Sequence, residues 1–210
     1  MEQHLFLFGG GPPFGDEHGK AFAEISSKRK GSVAILCLDR PGWCSYMPKY
    51  QKVLESYGVT SFKYYLLSDS TSILATDCSG IIICGGETGK YHESIVDTSL
   101  GMEIKSLYQD GAPVAGFSAG ALICPEHCVI SPKDNSRNEQ IFLKGLGLID
   151  HCVISVHFTE WNDEENLKRA MDKTGCWTGY GLDDAASIYF KQGRLYSIDG
   201  EQVHFYKSVV

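Results

Sequence analysis

Residues 114–121 read Val-Ala-Gly-Phe-Ser-Ala-Gly-Ala, an apolar run that meets a serine with a glycine two positions away on each side. This is the G-x-S-x-G pattern of a nucleophile elbow, in which a strand ends in a tight turn and a helix follows. Glycine suits positions 116 and 120 because the turn is strained and the neighbouring chain passes too close for larger side chains. The pattern predicts Ser118 as a nucleophile. A glycine-containing turn with an incidental serine would read the same way.

Two backbone N–H groups are candidates for holding an oxyanion beside Ser118. The helix after the serine would point its free N–H groups and the positive end of its dipole at the turn, and Ala119 is its first residue. Residues 81–87, Ile-Ile-Ile-Cys-Gly-Gly-Glu, are a second strand that runs into two glycines. The N–H of Gly86 could complete an oxyanion hole there, and the alternative is an ordinary glycine-rich turn.

Apolar runs and helical patterns alternate along the first two thirds of the chain, which predicts buried parallel strands with helical crossovers. The last third contains several short strand patterns, with Gln192-Gly193 as a hairpin turn. The predicted strands are Leu5–Phe8, Val33–Leu38, Phe62–Leu67, Ile81–Cys84, Val114–Phe117, Val153–Val156, Tyr180–Leu182, Ser187–Phe190, Leu195–Ile198 and Val203–Tyr206. The predicted helices are Asp16–Lys30, Tyr46–Tyr57, 91–109 and Asp163–Lys173. The pattern favours an α/β sandwich with a mostly parallel sheet and a mostly antiparallel β finish.

Length, composition and charge exclude several classes of protein. The 210 residues, 43% hydrophobic and 21% charged, are typical of an ordinary globular chain, and we expect a single domain over residues 1–210. The net charge of −7 argues against nucleic acid as a partner, because phosphate binding needs a basic face. The apolar run Leu5–Phe8 is too short to span a membrane and lacks the flanks of an export signal. We therefore expect no membrane partner.

The eight cysteines are not arranged as a metal or disulfide framework. Most lie in apolar runs, where cysteine behaves as a small hydrophobic residue. Cys124 and Cys128 are four residues apart and have no second pair to complete a zinc site. His157-x-x-Glu160 has metal-ligand spacing but no partner motif, so we expect no metal. These features predict a reduced, cytoplasmic protein.

The glycine-rich turn at residues 9–13, Gly-Gly-Gly-Pro-Pro, follows the first predicted strand and resembles the start of a dinucleotide-binding motif. We reject that interpretation because Pro12 and Pro13 remove two N–H donors where a pyrophosphate would need them. No complete G-x-G-x-x-G follows either. We expect no organic cofactor.

A serine nucleophile needs a base, and His157 is the strongest candidate. It follows the predicted strand Val153–Val156, and sites in open parallel sheets gather beyond the carboxyl ends of the strands. His204 is the rival, although it lies within a terminal strand pattern where a structural role is commoner.

The acid that would orient the base has three candidates. Asp183 and Asp184 follow the strand that contains Leu182, and Asp134 lies in the predicted loop after the elbow helix. Turn or helix-capping carboxylates are the ordinary alternative for all three.

Together these segments resemble peptidase family S51, which contains bacterial aspartyl dipeptidase (peptidase E) and the cyanophycinases. The resemblance rests on segments that keep the family's order over nearly the whole chain. They are Leu7-Phe-Gly-Gly-Gly11, the strand Ile81–Gly86, the elbow Gly116-Phe-Ser-Ala-Gly-Ala121, Gly145-Leu-Gly-Leu148, the strand ending in His157, and Gly181-Leu-Asp-Asp-Ala185.

The resemblance implies a class I glutamine amidotransferase-like fold, that is, a flavodoxin-like three-layer sandwich. It also implies a Ser118–His157 pair. Acids at two places have been considered in the family, so Asp184 is favoured as the third member and Asp134 is kept as the alternative. Relatives typically carry an amide residue after the Gly-Gly pair, where this chain has Glu87.

The resemblance leads us to expect a serine exopeptidase or dipeptidase that forms an acyl-enzyme on a small peptide substrate, as a monomer or homodimer. The chain is compact beside cyanophycinases, which favours a small pocket over a groove for a polymer. A preference for acidic first residues would need a cation, and the sequence does not select among Arg40, Lys90, Lys133 and Arg137. Two other hypotheses stay open at this point. One is an α/β-hydrolase-type esterase using Ser118, Asp184 and His204. The other is a non-catalytic amidotransferase-like binding module.

Overall fold

The part of the chain that the structure describes forms twelve strands and seven α-helices. A computed structural model describes residues 1–68, 71–73, 77–200 and 202–208. The strands are β1 (His4–Phe8), β2 (Ser32–Cys37), β3 (Phe62–Leu66), β4 (Cys78–Ile83), β5 (Val114–Phe117), β6 (His127–Ile130), β7 (Ile141–Lys144), β8 (Cys152–Val156), β9 (Thr178–Leu182), β10 (Ala186–Lys191), β11 (Arg194–Gly200) and β12 (Val203–Lys207). The helices are α1 (Asp16–Ser26), α2 (Met47–Ser56), α3 (Thr88–Ile95), α4 (Ser99–Gln109), α5 (Ala119–Ile123), α6 (Phe158–Trp161) and α7 (Glu164–Thr174).

The central sheet has seven strands in the order β11-β10-β1-β5-β4-β2-β3. Within this order, the strands β1, β5, β4, β2 and β3 are each parallel to their neighbours. The strands β10 and β11 add to the β1 edge in antiparallel orientation. Parallel strands buried on both faces read as continuous apolar runs, and β1, β2 and β4 are buried along their whole length. The predicted α/β class with a mostly parallel sheet and an antiparallel finish is therefore confirmed.

Right-handed crossovers place the helices on the two faces of this sheet. The connections through α1 and α2 run towards β3, and the connection through α3 and α4 runs back to β5. Helices α1 and α2 therefore cover one face, while α3, α4 and α5 cover the other. Among the described residues, no helix combines the length and apolar character needed to cross a bilayer.

A second sheet, in the order β12-β9-β8, is formed by strands from the last third of the chain. Successive side chains of its strand β8 point to opposite faces, and a hydrophobic cluster covers each face. Ile154 and Val156 join the main core, whereas Val153 joins a smaller cluster with Leu167 and Met171 of α7. The second sheet is thus held between the main core and α7.

The hairpin predicted at Gln192-Gly193 joins β10 to β11. Both residues have positive φ, 52° and 70°, as a two-residue type I′ turn requires. The strand predicted around His204 does not extend this hairpin. It is β12, which pairs with β9 in the second sheet.

Three sequence-based predictions of local structure were wrong. The single helix at 91–109 is two helices, because Asp97 takes a φ of 57° and Thr98 caps α4 by accepting a hydrogen bond from the Gly101 N–H at 3.3 Å. The helix predicted to reach Lys30 ends at Ser26. The predicted loop after α5 contains the antiparallel pair β6–β7, whose turn has no short hairpin signal.

Candidate active site

Ser118 stands at the tip of a strained turn between β5 and α5. Its φ of 47° and ψ of −106° lie in a sparsely populated region, which is the elbow conformation that the sequence predicts. The Ser118 N–H donates to the carbonyl of Phe8 at 3.0 Å, which ties the turn to the end of β1. A Cβ at Gly116 would collide with the Gly120 carbonyl, and one at Gly120 would collide with the Ile83 carbonyl. Both glycines are therefore required by close backbone contact.

His157 connects the serine to a carboxylate. Its Nε2 lies 3.0 Å from Ser118 Oγ, and its Nδ1 lies 2.6 Å from Asp184 Oδ1. This is the geometry in which an imidazole accepts the serine proton at one nitrogen while a carboxylate fixes the other. The structure thus brings together the three residues that the sequence singled out.

The backbone and one aromatic ring hold His157 in place. The residue follows β8 directly with a φ of 49°, and its N–H donates to the Gly9 carbonyl at 3.2 Å. The ring of Trp161 packs against the imidazole with centroids 4.6 Å apart. Sequence reasoning missed Trp161. Its spacing of four residues from His157 is the signal that could have found it, because such residues share a helix face.

The two adjacent aspartates after β9 have different partners. Asp184 meets His157, whereas Asp183 accepts hydrogen bonds from the Thr159 N–H at 2.9 Å and lies 3.3 Å from His204 Nε2. Burial alone would raise the pKa of Asp183, but the hydrogen bonds from Thr159 and His204 outweigh it and the pKa is lowered. His204 therefore belongs to a neighbouring pair and makes no hydrogen bond to Ser118 in the described chain.

The glycines after β1 make room for this aspartate loop. A Cβ at Gly9 would collide with the carbonyls of Leu182 and Asp183, and one at Gly10 would collide with the Asp184 carbonyl. The glycine-rich turn thus lets the end of β1 pack against the backbone that carries Asp184.

Asp134, the alternative acid, lies in a short 3₁₀ turn at Pro132–Asp134 and does not hydrogen-bond to His157. Its Oδ2 instead accepts from Thr88 Oγ1 at 2.5 Å. Burial raises the pKa of Asp134, and the bond from Thr88 and the nearby His157 only partly offset this. Since Nδ1 of His157 is taken by Asp184, the geometry favours Asp184 as the orienting acid.

Two buried phenols fix the Gly85-Gly86 turn after β4. The Gly85 N–H donates to Tyr50 Oη at 3.3 Å, and Tyr91 Oη donates to the Gly85 carbonyl at 3.3 Å. In the part of the chain that the structure describes, the N–H groups of Gly86 and Ala119 make no hydrogen bond. Both remain available to a ligand, which is what an oxyanion hole needs.

One group of three residues in the described chain could offer ligands to a metal. His157, Glu160 and Asp184 have candidate ligand atoms within 4.8 Å of one another. The Nδ1 atom of His157 and the carboxylate of Asp184 are already hydrogen-bonded to each other. Metal binding and proton transfer through His157 would therefore compete for the same atoms.

A cavity of about 840 Å³ lies between the Gly86 turn with α3 and the pair β6–β7, and Ser118, His157 and Asp184 do not line it. Its walls carry the carboxylates Glu87, Glu93 and Asp134 and the cations Lys133 and Arg137. Its volume falls within the range of small-molecule pockets, roughly 300–1,000 Å³.

A strained serine on a strand–helix elbow, a hydrogen-bonded histidine and a carboxylate thus lie together at the carboxyl ends of β5, β8 and β9. The model of peptidase family S51 matches residues 40–198 of this chain. The chain therefore belongs to that family, as the sequence predicted.

Known relatives agree with this assignment. The chain is 28% identical over 123 residues to the cyanophycinases of Trichormus variabilis and of a Nostoc species, a match that covers 56% of this chain and 41% of theirs. The matched region thus spans about two fifths of the length of these curated relatives.

Two solved structures share the fold. A peptidase from an acI-B1 actinobacterium superposes with a TM-score of 0.78 at 21% identity, covering 100% of this chain and 92% of that one. A putative peptidase E protein from Listeria monocytogenes superposes with a TM-score of 0.62 at 17% identity, covering 100% of both chains.

Proposed function

We propose that this protein is a serine exopeptidase that hydrolyses short peptides through an acyl-enzyme. The observation that carries the proposal is the hydrogen-bonded series Ser118–His157–Asp184, with distances of 3.0 and 2.6 Å. Hydrogen bonds of this length let a proton move from the hydroxyl to the imidazole without rearrangement of the site.

In the proposed mechanism, Ser118 Oγ attacks the scissile carbonyl carbon while Nε2 of His157 takes the hydroxyl proton. The N–H groups of Gly86 and Ala119 hold the oxyanion. Asp184 stabilises the imidazolium through Nδ1. When the intermediate collapses, the C–N bond breaks and Nε2 gives its proton to the leaving amine. Water, activated by the same imidazole, then hydrolyses the ester and restores Ser118.

A short substrate is supported by the size of the cavity beside Gly86. A volume of about 840 Å³ has room for a peptide of a few residues. We propose a small peptide substrate on that ground.

We also propose that acidic first residues are accepted, with Arg40 as the partner of the acidic side chain. Lys90 already forms an ion pair with Glu87 at 2.7 Å. The guanidinium of Arg40 stacks on the Tyr46 ring, forms no ion pair in the described chain, and has Nη1 3.8 Å from the position of a Cβ on Gly86. It is therefore an unpaired cation beside the turn that would bind the scissile carbonyl.

The experiment is a dipeptide screen with varied first residues, run on the wild type and on Ser118→Ala. We expect the wild type to be labelled at Ser118 by a fluorophosphonate and to cleave acidic dipeptides. The Ser118→Ala protein should lose about 10⁴-fold or more in kcat. Full turnover by Ser118→Ala would overturn the proposal, and Arg40→Met should abolish only the preference for acidic first residues.

A further inference from the structure

We propose that Asp134 binds the α-ammonium group of the substrate's first residue, and that this contact restricts the enzyme to free amino termini. The inference rests on the proposed function. It gives Asp134 a role in binding the substrate's amino terminus, which Ser118, His157 and Asp184 do not perform.

The position of Asp134 fits an anchor for the amino terminus. In a substrate whose first peptide bond is cleaved, the α-nitrogen lies two bonds from the scissile carbonyl carbon, so its anchor must stand at the rim of the oxyanion site. Asp134 hydrogen-bonds to Thr88 at 2.5 Å, and Thr88 follows Gly86 by two residues. Asp134 and Gly86 also line the same cavity.

Asp134 has no structural role that uses its charge. Among the described residues it forms no ion pair, and only its Oδ2 is hydrogen-bonded, by the neutral hydroxyl of Thr88. Lys133 and Arg137 line the cavity without pairing to it. The second carboxylate oxygen of this half-buried residue is therefore free to accept a hydrogen bond from a ligand in the cavity.

Electrostatics favour a cationic partner at this place. Burial raises the pKa of Asp134, and the hydrogen bond from Thr88 and the nearby His157 offset this only in part. An ammonium group bound beside Asp134 would stabilise its ionised form. An ammonium group can donate three hydrogen bonds, and the free oxygen of Asp134 can accept one of them.

The test compares substrates that differ only in the α-ammonium group. Asp-Ala is paired with succinyl-alanine, and Ala-Ala is paired with propionyl-alanine. Each is hydrolysed by the wild type, by Asp134→Asn and by the matched control Asp172→Asn, which removes a charge from an exposed residue of α7 that does not line the cavity. The labelling rate of Ser118 by a fluorophosphonate, which carries no amine, reports whether the triad is intact.

We expect Asp134→Asn to lower kcat/KM about 100-fold for the free-amine substrates, as loss of a desolvated charge pair does. Its hydrolysis of the desamino substrates and its fluorophosphonate labelling should match the wild type, and Asp172→Asn should change neither class more than about twofold. If Asp134→Asn hydrolyses the free-amine substrates with the same kcat/KM as the wild type, the inference is overturned.

A parallel loss on both substrate classes with slowed labelling also overturns it, because Asp134 would then act through His157 or the fold. If the wild type itself is neither labelled nor active, the proposed function fails, and that outcome is distinct from both.

Discussion

At the scale of single residues, two histidine–aspartate pairs lie side by side and only one reaches the serine. Asp184 binds His157, and the preceding Asp183 binds His204. The sequence supplied both aspartates and both histidines but could not pair them, because neighbouring side chains outside a helix or strand point in directions set by the local backbone. The pairing depends on where β12 places His204, which is a tertiary contact.

This pairing predicts different outcomes for the two histidines. We expect His157→Ala to lower kcat/KM by 10³-fold or more, since no other base contacts Ser118 in the described structure. His204→Ala should keep nearly full activity and lose only modest stability. The kcat/KM of both variants is measured by steady-state hydrolysis of a dipeptide and of an activated ester. The esterase hypothesis with Ser118, Asp184 and His204 requires the larger loss of kcat/KM in His204→Ala.

At the scale of elements, the elbow was predictable and the segment after it was not. Gly116 and Gly120 bracket Ser118 because the turn brings β5, β4 and α5 within backbone contact, and this requirement is local enough to be written in the sequence. The pair β6–β7 was missed because its strands are four residues long and are joined by ten residues. Its register is set by packing around β8 and not by a short turn.

Gly120 in the elbow and Gly89 in α3 should respond oppositely to replacement by alanine, as measured by the free energy of unfolding. Gly120→Ala places a Cβ against the Ile83 carbonyl and should cost about 1–3 kcal/mol of the free energy of unfolding. Gly89→Ala in α3 meets open space and should be neutral or stabilise by up to about 1 kcal/mol. Urea denaturation measures both. A Gly120→Ala protein as stable as Gly89→Ala would show that the turn has more room than the structure gives it.

At the scale of the whole molecule, the cysteines report how the core is assembled. The sequence predicted small hydrophobic residues, and seven of the eight thiols are buried while Cys44 is exposed. Burial raises the pKa of Cys37 and Cys78 to about 11 and that of Cys128 and Cys152 to about 12. The thiolate is the reactive form, so these side chains are both inaccessible and protonated at neutral pH.

Thiol titration therefore tests the packing of the whole fold. We expect one thiol, Cys44, to react quickly with a disulfide reagent in the native protein and all eight to react after unfolding. Cys44→Ser should remove the fast reaction and leave the slow one unchanged. Rapid reaction of several thiols in native Cys44→Ser would contradict the buried placement of the core strands.

The sequence by itself determined the layered α/β class, the elbow and its serine, the strand-end histidine, and the family. These follow from features a few residues long, namely apolar runs, glycine spacing and position relative to a strand end. Only the tertiary structure decided that Asp184 and not Asp183 or Asp134 meets His157, that Trp161 supports the imidazole, and that Asp134 faces the cavity beside Gly86. Those outcomes depend on how β1, β8, β9 and β12 pack together, because contacts between distant segments are set by the sum of many packing interactions and not by any one motif.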